Sequence, residues 1–447
     1  MKNGRIDCVR REEDRGFGIR VLYQGAWGFA SSNRMEAGKA RRVVELALDI
    51  ARASARVSKG SVILSPVEPV VDAYSSRWEI DPFRVPLEEK LSFLEKAFRP
   101  LMKAPEIKVA ESNLDSFRTE IWFGSSDGAD ITQEILESGA GIHVVAIRDG
   151  EPQMRSYPNA FGGNFATRGY EFVLGLGLEK EGERIREEAI ALLSAPPCPH
   201  ERTTLIVASD QMGLQVHESC GHPVELDRVL GSEISLAGGS FLQPTDAGVL
   251  RYGSDHVNIV ADATVEGGLG TFGFDDEGVR AKRTDIVREG ILSGFLTSRE
   301  TAGVFGGESN GTMRADGWNR IPLIRMTNIN LEPGDWPLEE MIRETDRGLL
   351  VSTNKSWSID DRRLNFQFGT QIAWEIRRGK RSRMLKNPIY TGITPEFWAK
   401  CDAVGDRDSW TLWGIPSCGK GDPIQTCHVG HGAPVARFRD IEVGVAK

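Results

Sequence analysis

The sequence has 447 residues, a length that predicts two or three domains at roughly 150 residues each. Hydrophobic residues make up 40% of the chain and charged residues 27%, which is the composition of a folded globular protein. The 55 basic and 64 acidic side chains give a net charge of −9, and no sustained basic segment is present. This balance argues against binding to a phosphate backbone, so we expect no nucleic-acid partner.

Cysteine content and apolar runs define the compartment that we expect. Six cysteines in a chain of this length do not form a disulfide framework. No apolar run approaches the ~20 residues that span a bilayer, and the first residues, MKNGRID, lack an apolar signal-peptide core. We therefore expect a cytoplasmic protein that does not associate with a membrane.

The first segment predicts a hairpin followed by a helix. Apolar and polar residues alternate over 16–30 around a Gln24-Gly25 turn. The pattern then becomes helical over 37–57, with Val44, Leu48 and Ala51 expected on the buried face.

The middle of the chain mixes helices and strands. Residues 66–86 are rich in proline and polar residues, which predicts a first boundary. Helical spacing follows Pro86, strand-like runs occur at 119–123 and 141–147, and 178–193 predicts a charged helix. A proline-rich linker over 195–199 ends this region.

The last part of the chain is predicted to be rich in strands. Residues 203–208 form a buried-strand pattern, and Ser209 or Asp210 is suited to cap a helix that runs toward Gly221. We therefore predict an α+β protein, with helices on antiparallel sheets in its N-terminal region and a large β-rich C-terminal domain that carries the helix. The predicted domains are 1–75, 86–195 and 200–447.

The motif that points most directly to chemistry is His217-Glu218-x-x-x-His222, on the predicted helix. Imidazoles are suitable zinc ligands, and a Glu beside the first ligand is placed to accept a proton from water. Each helical residue turns about 100°, so two histidines five apart point roughly 140° away from each other. A π-helical widening would let them converge, and Gly221 and Pro223 favour such a distortion. The alternative is that both are ordinary helix residues, one buried and one exposed.

A third ligand is available near the C-terminus. Cys418, Cys427, His428 and His431 lie within fourteen residues in a glycine-rich stretch. The Pro and Gly residues around Cys418 predict a loop that presents a thiolate, and Lys420 is expected to lower its pKa. Cys427 lies in a more strand-like run and is expected to be a core residue.

Two further strings predict no separate site. The G-x-G-x-x-G string at 268–273 lacks the following apolar helix that dinucleotide binding needs. The acids Asp275, Asp276 and Glu277 form either a solvated turn or a cation site, and the solvated turn is the more common structure for such a cluster.

Taken in order, several segments resemble the TldD/PmbA family of zinc-dependent peptidases, in its motif-bearing TldD-type branch. These segments are HESCGHPVELD (217–227), FDDEG (274–278), RMTN (325–328) with the following Pro333-Gly334, NFQFG (365–369) and CGKGDPIQTCHVGHGAP (418–434). The segment at 16–30 also resembles the first domain of the family. Family members begin with a helix and a strand before that segment, so we expect the first domain to be truncated at its start.

The resemblance implies a zinc ion held by His217, His222 and Cys418, with zinc-activated water and Glu218 as the general base. It also implies hydrolysis of unfolded peptides, bound as an added strand in a closed chamber of a homodimer or of a heterodimer with a PmbA-type subunit. The roles of Cys427, His428 and His431 stay open. Two alternatives remain: a non-catalytic or regulatory subunit of such a complex, and a zinc hydrolase with another substrate.

Overall fold

The computed structural model describes residues 1–235 and 238–445. The predicted hairpin is confirmed, and the helix after it packs against the hairpin. Gln24 (φ 46°) and Gly25 (φ 76°) are both left-handed, as a two-residue hairpin turn requires. The elements are β1 (Phe17–Tyr23), β2 (Ala26–Ser32) and α1 (Ala37–Ala55).

The predicted buried face of α1 is partly wrong. Val43, Ala47 and Ala51 are buried, whereas Val44 is 44% exposed. The helix lies so close to β2 that a side chain on Gly28 would overlap Ala47 and Ala51. Because the helix and strand are so close, the small side chains of Ala47 and Ala51 face β2, and Val44 lies on the exposed side of the helix.

The central region places helices on a five-stranded sheet. In this sheet β5 pairs in parallel with β3 and antiparallel with β4, β6 and β7, and the helices supply buried apolar residues to a shared core. The stretch 66–86 contains β3, which pairs with β5 of this sheet. The elements are β3 (Val71–Ser75), α2 (Leu87–Phe98), β4 (Ile107–Gly124), β5 (Asp130–Arg148), β6 (Glu151–Tyr157), β7 (Asn164–Ala166), α3 (Tyr170–Gly175) and α4 (Leu178–Ser194).

The C-terminal region begins with the segment that carries the histidine motif. A π-helical turn over His217–Gly221 follows α5 directly, and a short 3-10 turn over His222–Val224 comes next. The elements of this first part are β8 (Glu201–Val207), α5 (Ser209–Val216), α6 (Leu226–Val229), β9 (Ile259–Asp262), β10 (Arg283–Arg288), β11 (Ile291–Leu292), α7 (Arg299–Val304), β12 (Met313–Arg314), β13 (Leu323–Ile324), β14 (Ile329–Leu331) and α8 (Leu338–Arg343).

A seven-stranded sheet, which also includes β8, and a separate pair of strands form the rest of this region. The strands of this part are β15 (Arg347–Ile359), β16 (Asn365–Arg377), β17 (Lys380–Leu385), β18 (Pro388–Ile393), β19 (Cys401–Val404), β20 (Thr411–Lys420), β21 (Gln425–Ala433) and β22 (Ala436–Val445), with α9 (Thr394–Ala399) between β18 and β19. Pairing in the order β15-β8-β22-β18-β16 closes into a ring, because β16 also pairs with β15; β17 joins at β16 and β19 at β22, and β20 and β21 form the separate pair. The α+β fold with a β-rich C-terminal region is therefore confirmed.

The apolar core of this region surrounds the motif-bearing segment. The buried cluster includes Val216, Cys220 and Val224 from that segment, together with Ile415 and Cys418 from β20. The motif thus lies inside the core of the largest unit. Among the described residues, no helix combines the length and the apolar character that a membrane crossing requires.

Candidate metal centre

The helix that carries the two histidines leaves α geometry between them, as their spacing predicts. The His222 backbone N–H donates to the His217 carbonyl, an i to i+5 hydrogen bond that closes the π turn. The two imidazole rings lie 4.9 Å apart at 90°. The wider turn therefore brings together two side chains that a regular helix would point apart.

Two expected details of this helix are wrong. The N-cap of α5 is Ala208, and no side chain caps it; Ser209 instead donates to the Ala433 carbonyl at 2.5 Å. Gly221 has ordinary helical angles (φ −75°, ψ −63°), so its conformational freedom is not used. Glycine is needed at this position because of its small size, since a Cβ at Gly221 would overlap the Met326 sulfur.

Cys418 lies opposite Cys427 in the β20–β21 pair and not in the predicted loop. The Cys418 Sγ is 3.9 Å from His222 Nε2. Ligand atoms of His217, His222 and Cys418 all lie within 4.8 Å of one another, and the three residues are at most 5% exposed. In the part of the chain that the structure describes, Cys427 is not a member of this group.

The donor chemistry of this group fits zinc. Two imidazoles and one thiolate are typical zinc ligands, and three protein ligands leave one position open, as in catalytic sites. Ligands of tetrahedral zinc lie roughly 3.3–3.6 Å from one another, given bond lengths of about 2.0–2.3 Å. The observed spread of up to 4.8 Å is wider by roughly 1.2–1.5 Å, a difference that side-chain rotations can cover.

The pKa values of the two thiols also distinguish Cys418 from Cys427. Burial opposes ionisation of the Cys418 thiol, but His222 and Arg325 outweigh it and hold its pKa below the ordinary value. Burial raises the pKa of the Cys427 thiol. Lys420, expected to act on Cys418, instead donates to Asp227 at 2.7 and 2.9 Å.

Each histidine has a second partner at its Nδ1. The His222 Nδ1 lies 3.0 Å from Glu225 Oε2, and Arg228 donates to the same carboxylate at 3.2 Å. The His217 Nδ1 lies 2.7 Å from His431 Nε2. These contacts leave the Nε2 atoms as the nitrogens available for a metal.

Glu218 is 6% exposed, and its Oε2 accepts no hydrogen bond within the described residues. The Arg363 Nη1 lies 3.7 Å from this oxygen. Arg363 belongs to the turn between β15 and β16, which the sequence did not single out. Burial lowers the pKa of Arg363, Arg228 adds to this effect, and Glu218 partly opposes it.

Sequence reasoning singled out neither Arg363 nor Glu225, and it left the role of His431 open. Glu225 follows His222 by three residues, a spacing that places both on one side of a helical turn and could have revealed it. Arg363 is 145 residues from Glu218, and His431 is 214 residues from His217. No local pattern joins residues at such separations.

Two candidate features of the sequence lie outside the group. His428 faces away from it, and its Nδ1 lies 2.8 Å from Glu137. Asp275 is buried and accepts hydrogen bonds from the backbone N–H groups of Glu277, Val279 and Met313. The expected solvated turn is wrong, because this carboxylate organises buried backbone.

Comparison with known proteins identifies the family of the chain. Three family models match the chain: PmbA/TldA metallopeptidase domain 1 over residues 1–51, the central domain over 80–193 and the C-terminal domain over 200–445. A metalloprotease of Methanocaldococcus jannaschii is 31% identical over 408 residues, which cover 90% of this chain and 86% of that protein. A Saccharolobus solfataricus protein named zinc metalloprotease TldD homolog is 24% identical, with coverage of 96% and 90%.

A solved structure shows the same fold. TldE from Thermococcus kodakarensis superimposes with a TM-score of 0.71 at 17% identity, covering 95% of this chain and 89% of that one. The matching models together span most of the chain, and a relative above 30% identity matches nearly its whole length. The chain therefore belongs to the PmbA/TldA metallopeptidase family and is accordingly a metallopeptidase.

Proposed function

We propose that this protein is a zinc-dependent peptidase in which His217, His222 and Cys418 hold the ion and Glu218 is the general base. The convergence of three buried donors beside a carboxylate oxygen that accepts no hydrogen bond within the described residues carries the proposal. An unsatisfied buried carboxylate oxygen is costly to maintain, which supports a chemical role for it.

The residues have separate tasks. A zinc ion bound by this group would supply Lewis acidity at the scissile carbonyl. Glu218 takes a proton at Oε2 from the attacking water and gives it to the departing amine. The Arg363 guanidinium, 3.7 Å away, offsets the cost of keeping that carboxylate charged while buried.

The burial of the site limits the substrates. His217, Glu218, His222 and Cys418 are 3–6% exposed, so a folded protein surface cannot reach them. We propose unfolded peptides as substrates, bound as an added strand whose backbone makes the hydrogen bonds. Such recognition tolerates many sequences because it does not read side chains.

We also propose that the protein works as a homodimer or as a heterodimer with a PmbA-type subunit. This assembly is what the resemblance of the sequence to the TldD/PmbA family implies. The complete His, His and Cys group does not favour the alternative of a non-catalytic subunit.

The decisive experiment compares the parent with Glu218→Gln. We expect both to contain one zinc ion by mass spectrometry, and peptide hydrolysis by the variant to fall about 10²–10⁴-fold, because an amide cannot accept the proton. Glu137→Gln, at a buried Glu paired with His428, is the matched control and should keep its activity.

Chelation should abolish casein cleavage by the parent, and added zinc should restore it. Activity of Glu218→Gln within a few-fold of the parent would refute the assignment of the base. Purified parent protein without any tightly bound metal would refute the proposed site.

A further inference from the structure

The His217 ring is the first member of a buried hydrogen-bonded chain that ends at backbone. The His217 Nδ1 lies 2.7 Å from His431 Nε2, and the His431 Nδ1 lies 3.2 Å from the Ile329 carbonyl oxygen. His431 is fully buried, at 0% exposure. The Glu218 mechanism and the ion-holding group make no use of this histidine.

The direction of the chain follows from its last member. A carbonyl oxygen only accepts, so the His431 Nδ1 carries the hydrogen and donates it to Ile329. The Nε2 of a neutral His431 is then a lone pair, which accepts from the His217 Nδ1–H. Both ring nitrogens of His431 thus have a partner inside the core, where the ring has no exposed surface.

The backbone around His431 holds the ring in this orientation. The flanking Gly430 N–H donates to the Thr327 carbonyl at 3.1 Å, and the Gly432 N–H donates to Asn330 Oδ1 at 2.6 Å. Side chains at either glycine would overlap neighbouring residues. The backbone on both sides of His431 is therefore held by hydrogen bonds and close packing, which fixes the direction of the ring.

We propose that His431 is a positioning residue that fixes the tautomer of His217, so that the His217 Nε2 presents its lone pair to the metal. This inference rests on the proposed function, because it concerns the ion which that function requires. Without the acceptor at His431, the His217 proton can move to Nε2 and block the ligand atom. His431 is thus the neutral counterpart of Glu225, which holds His222 through a carboxylate.

The test compares His431→Phe, which keeps a ring but lacks an acceptor, with His431→Gln, whose amide oxygen can replace Nε2. Zinc affinity is measured by competition with a chromophoric chelator, and the ligand field by the absorption of Co²⁺ placed in the site. We expect His431→Phe to bind zinc about 10–100-fold more weakly, with a shifted Co²⁺ spectrum. We expect His431→Gln to remain within a few-fold of the parent, with a parent-like spectrum.

The matched control is His428→Phe, in the same strand but paired with Glu137, which should bind zinc as the parent does. Circular dichroism of the metal-free proteins separates loss of folding from loss of affinity; if His431→Phe does not fold, His431→Leu replaces it.

Parent-like zinc affinity in the folded variant without an acceptor would overturn the inference. Equal losses in the Gln and Phe variants would also overturn it, because ring shape and not the acceptor would then matter. Either result leaves the proposed function standing as long as the parent binds zinc, whereas a parent without zinc affinity would refute the proposed function itself.

Discussion

Cys418 and Cys427 form a natural pair for testing the third ligand. They lie opposite each other in the β20–β21 pair, and they are 3% and 6% exposed. The same substitution, Cys to Ser, can therefore be made at two neighbouring buried sites. Only Cys418 has His222 Nε2 near its sulfur, at 3.9 Å.

The expected difference is large. Four-ligand structural zinc sites bind with about 10–16 kcal/mol, which is roughly 2.5–4 kcal/mol for each ligand. One tenfold change in affinity is about 1.4 kcal/mol. Replacing the Cys418 thiolate by a hydroxyl should thus weaken zinc binding by about 10²–10³-fold.

Cys427→Ser should leave zinc affinity within a few-fold of the parent. The substitution should instead lower the free energy of unfolding by about 1–3 kcal/mol, because it buries a hydroxyl group that lacks a hydrogen-bond partner. Chelator competition measures the affinities, and denaturant unfolding of the metal-free proteins measures the stabilities. Zinc retained by Cys418→Ser and lost from Cys427→Ser would overturn the ligand assignment.

Two further predictions concern the π turn and the assembly. Gly221→Ala should destabilise the protein by about 1–3 kcal/mol in denaturant unfolding, because the new Cβ would overlap the Met326 sulfur, while Gly38→Ala in the open face of α1 should be neutral or slightly stabilising. Equal stabilities for the two variants would contradict the spatial role of Gly221. Light scattering of the active protein at micromolar concentration should show a dimer, alone or with a PmbA-type subunit, and a fully active monomer would contradict the proposed assembly.

The departure from α geometry could be predicted because it follows from the spacing once both histidines are taken to hold one ion. Two ligands five residues apart cannot converge on a regular helix, so the motif itself requires the π turn between His217 and His222. The hairpin at Gln24 was predictable for a similar reason, since its turn residues and the alternation around them are local.

Glu225 lies close to His222 in the sequence, but the other partners of the proposed ligands and base could not be predicted because they come from distant segments. His431 reaches His217 only after β21 has packed beside the motif-bearing helix, and Arg363 reaches Glu218 only through the β15–β16 turn. The loop predicted around Cys418 failed for a different reason. Proline and glycine usually mark loops, but β20 continues through Pro416 and Gly419 by means of a bulge.

The bulge in β20 changes the direction of a side chain, as the π turn does in the helix. Ile415 pairs with Val429 and Cys418 pairs with Cys427, so three steps along β20 match two along β21. Residues three apart on a regular strand face opposite sides, yet Ile415 and Cys418 both belong to the buried core. The extra residue turns Cys418 inward toward His222; without it, the thiol would lie on the other side of the strand pair. Two of the three donors are thus aimed by one local irregularity each, an i to i+5 turn in a helix and a one-residue shift in a strand. Both irregularities lie in one buried cluster whose side chains pack around them, which is why a site built from departures from regular structure can still be well defined.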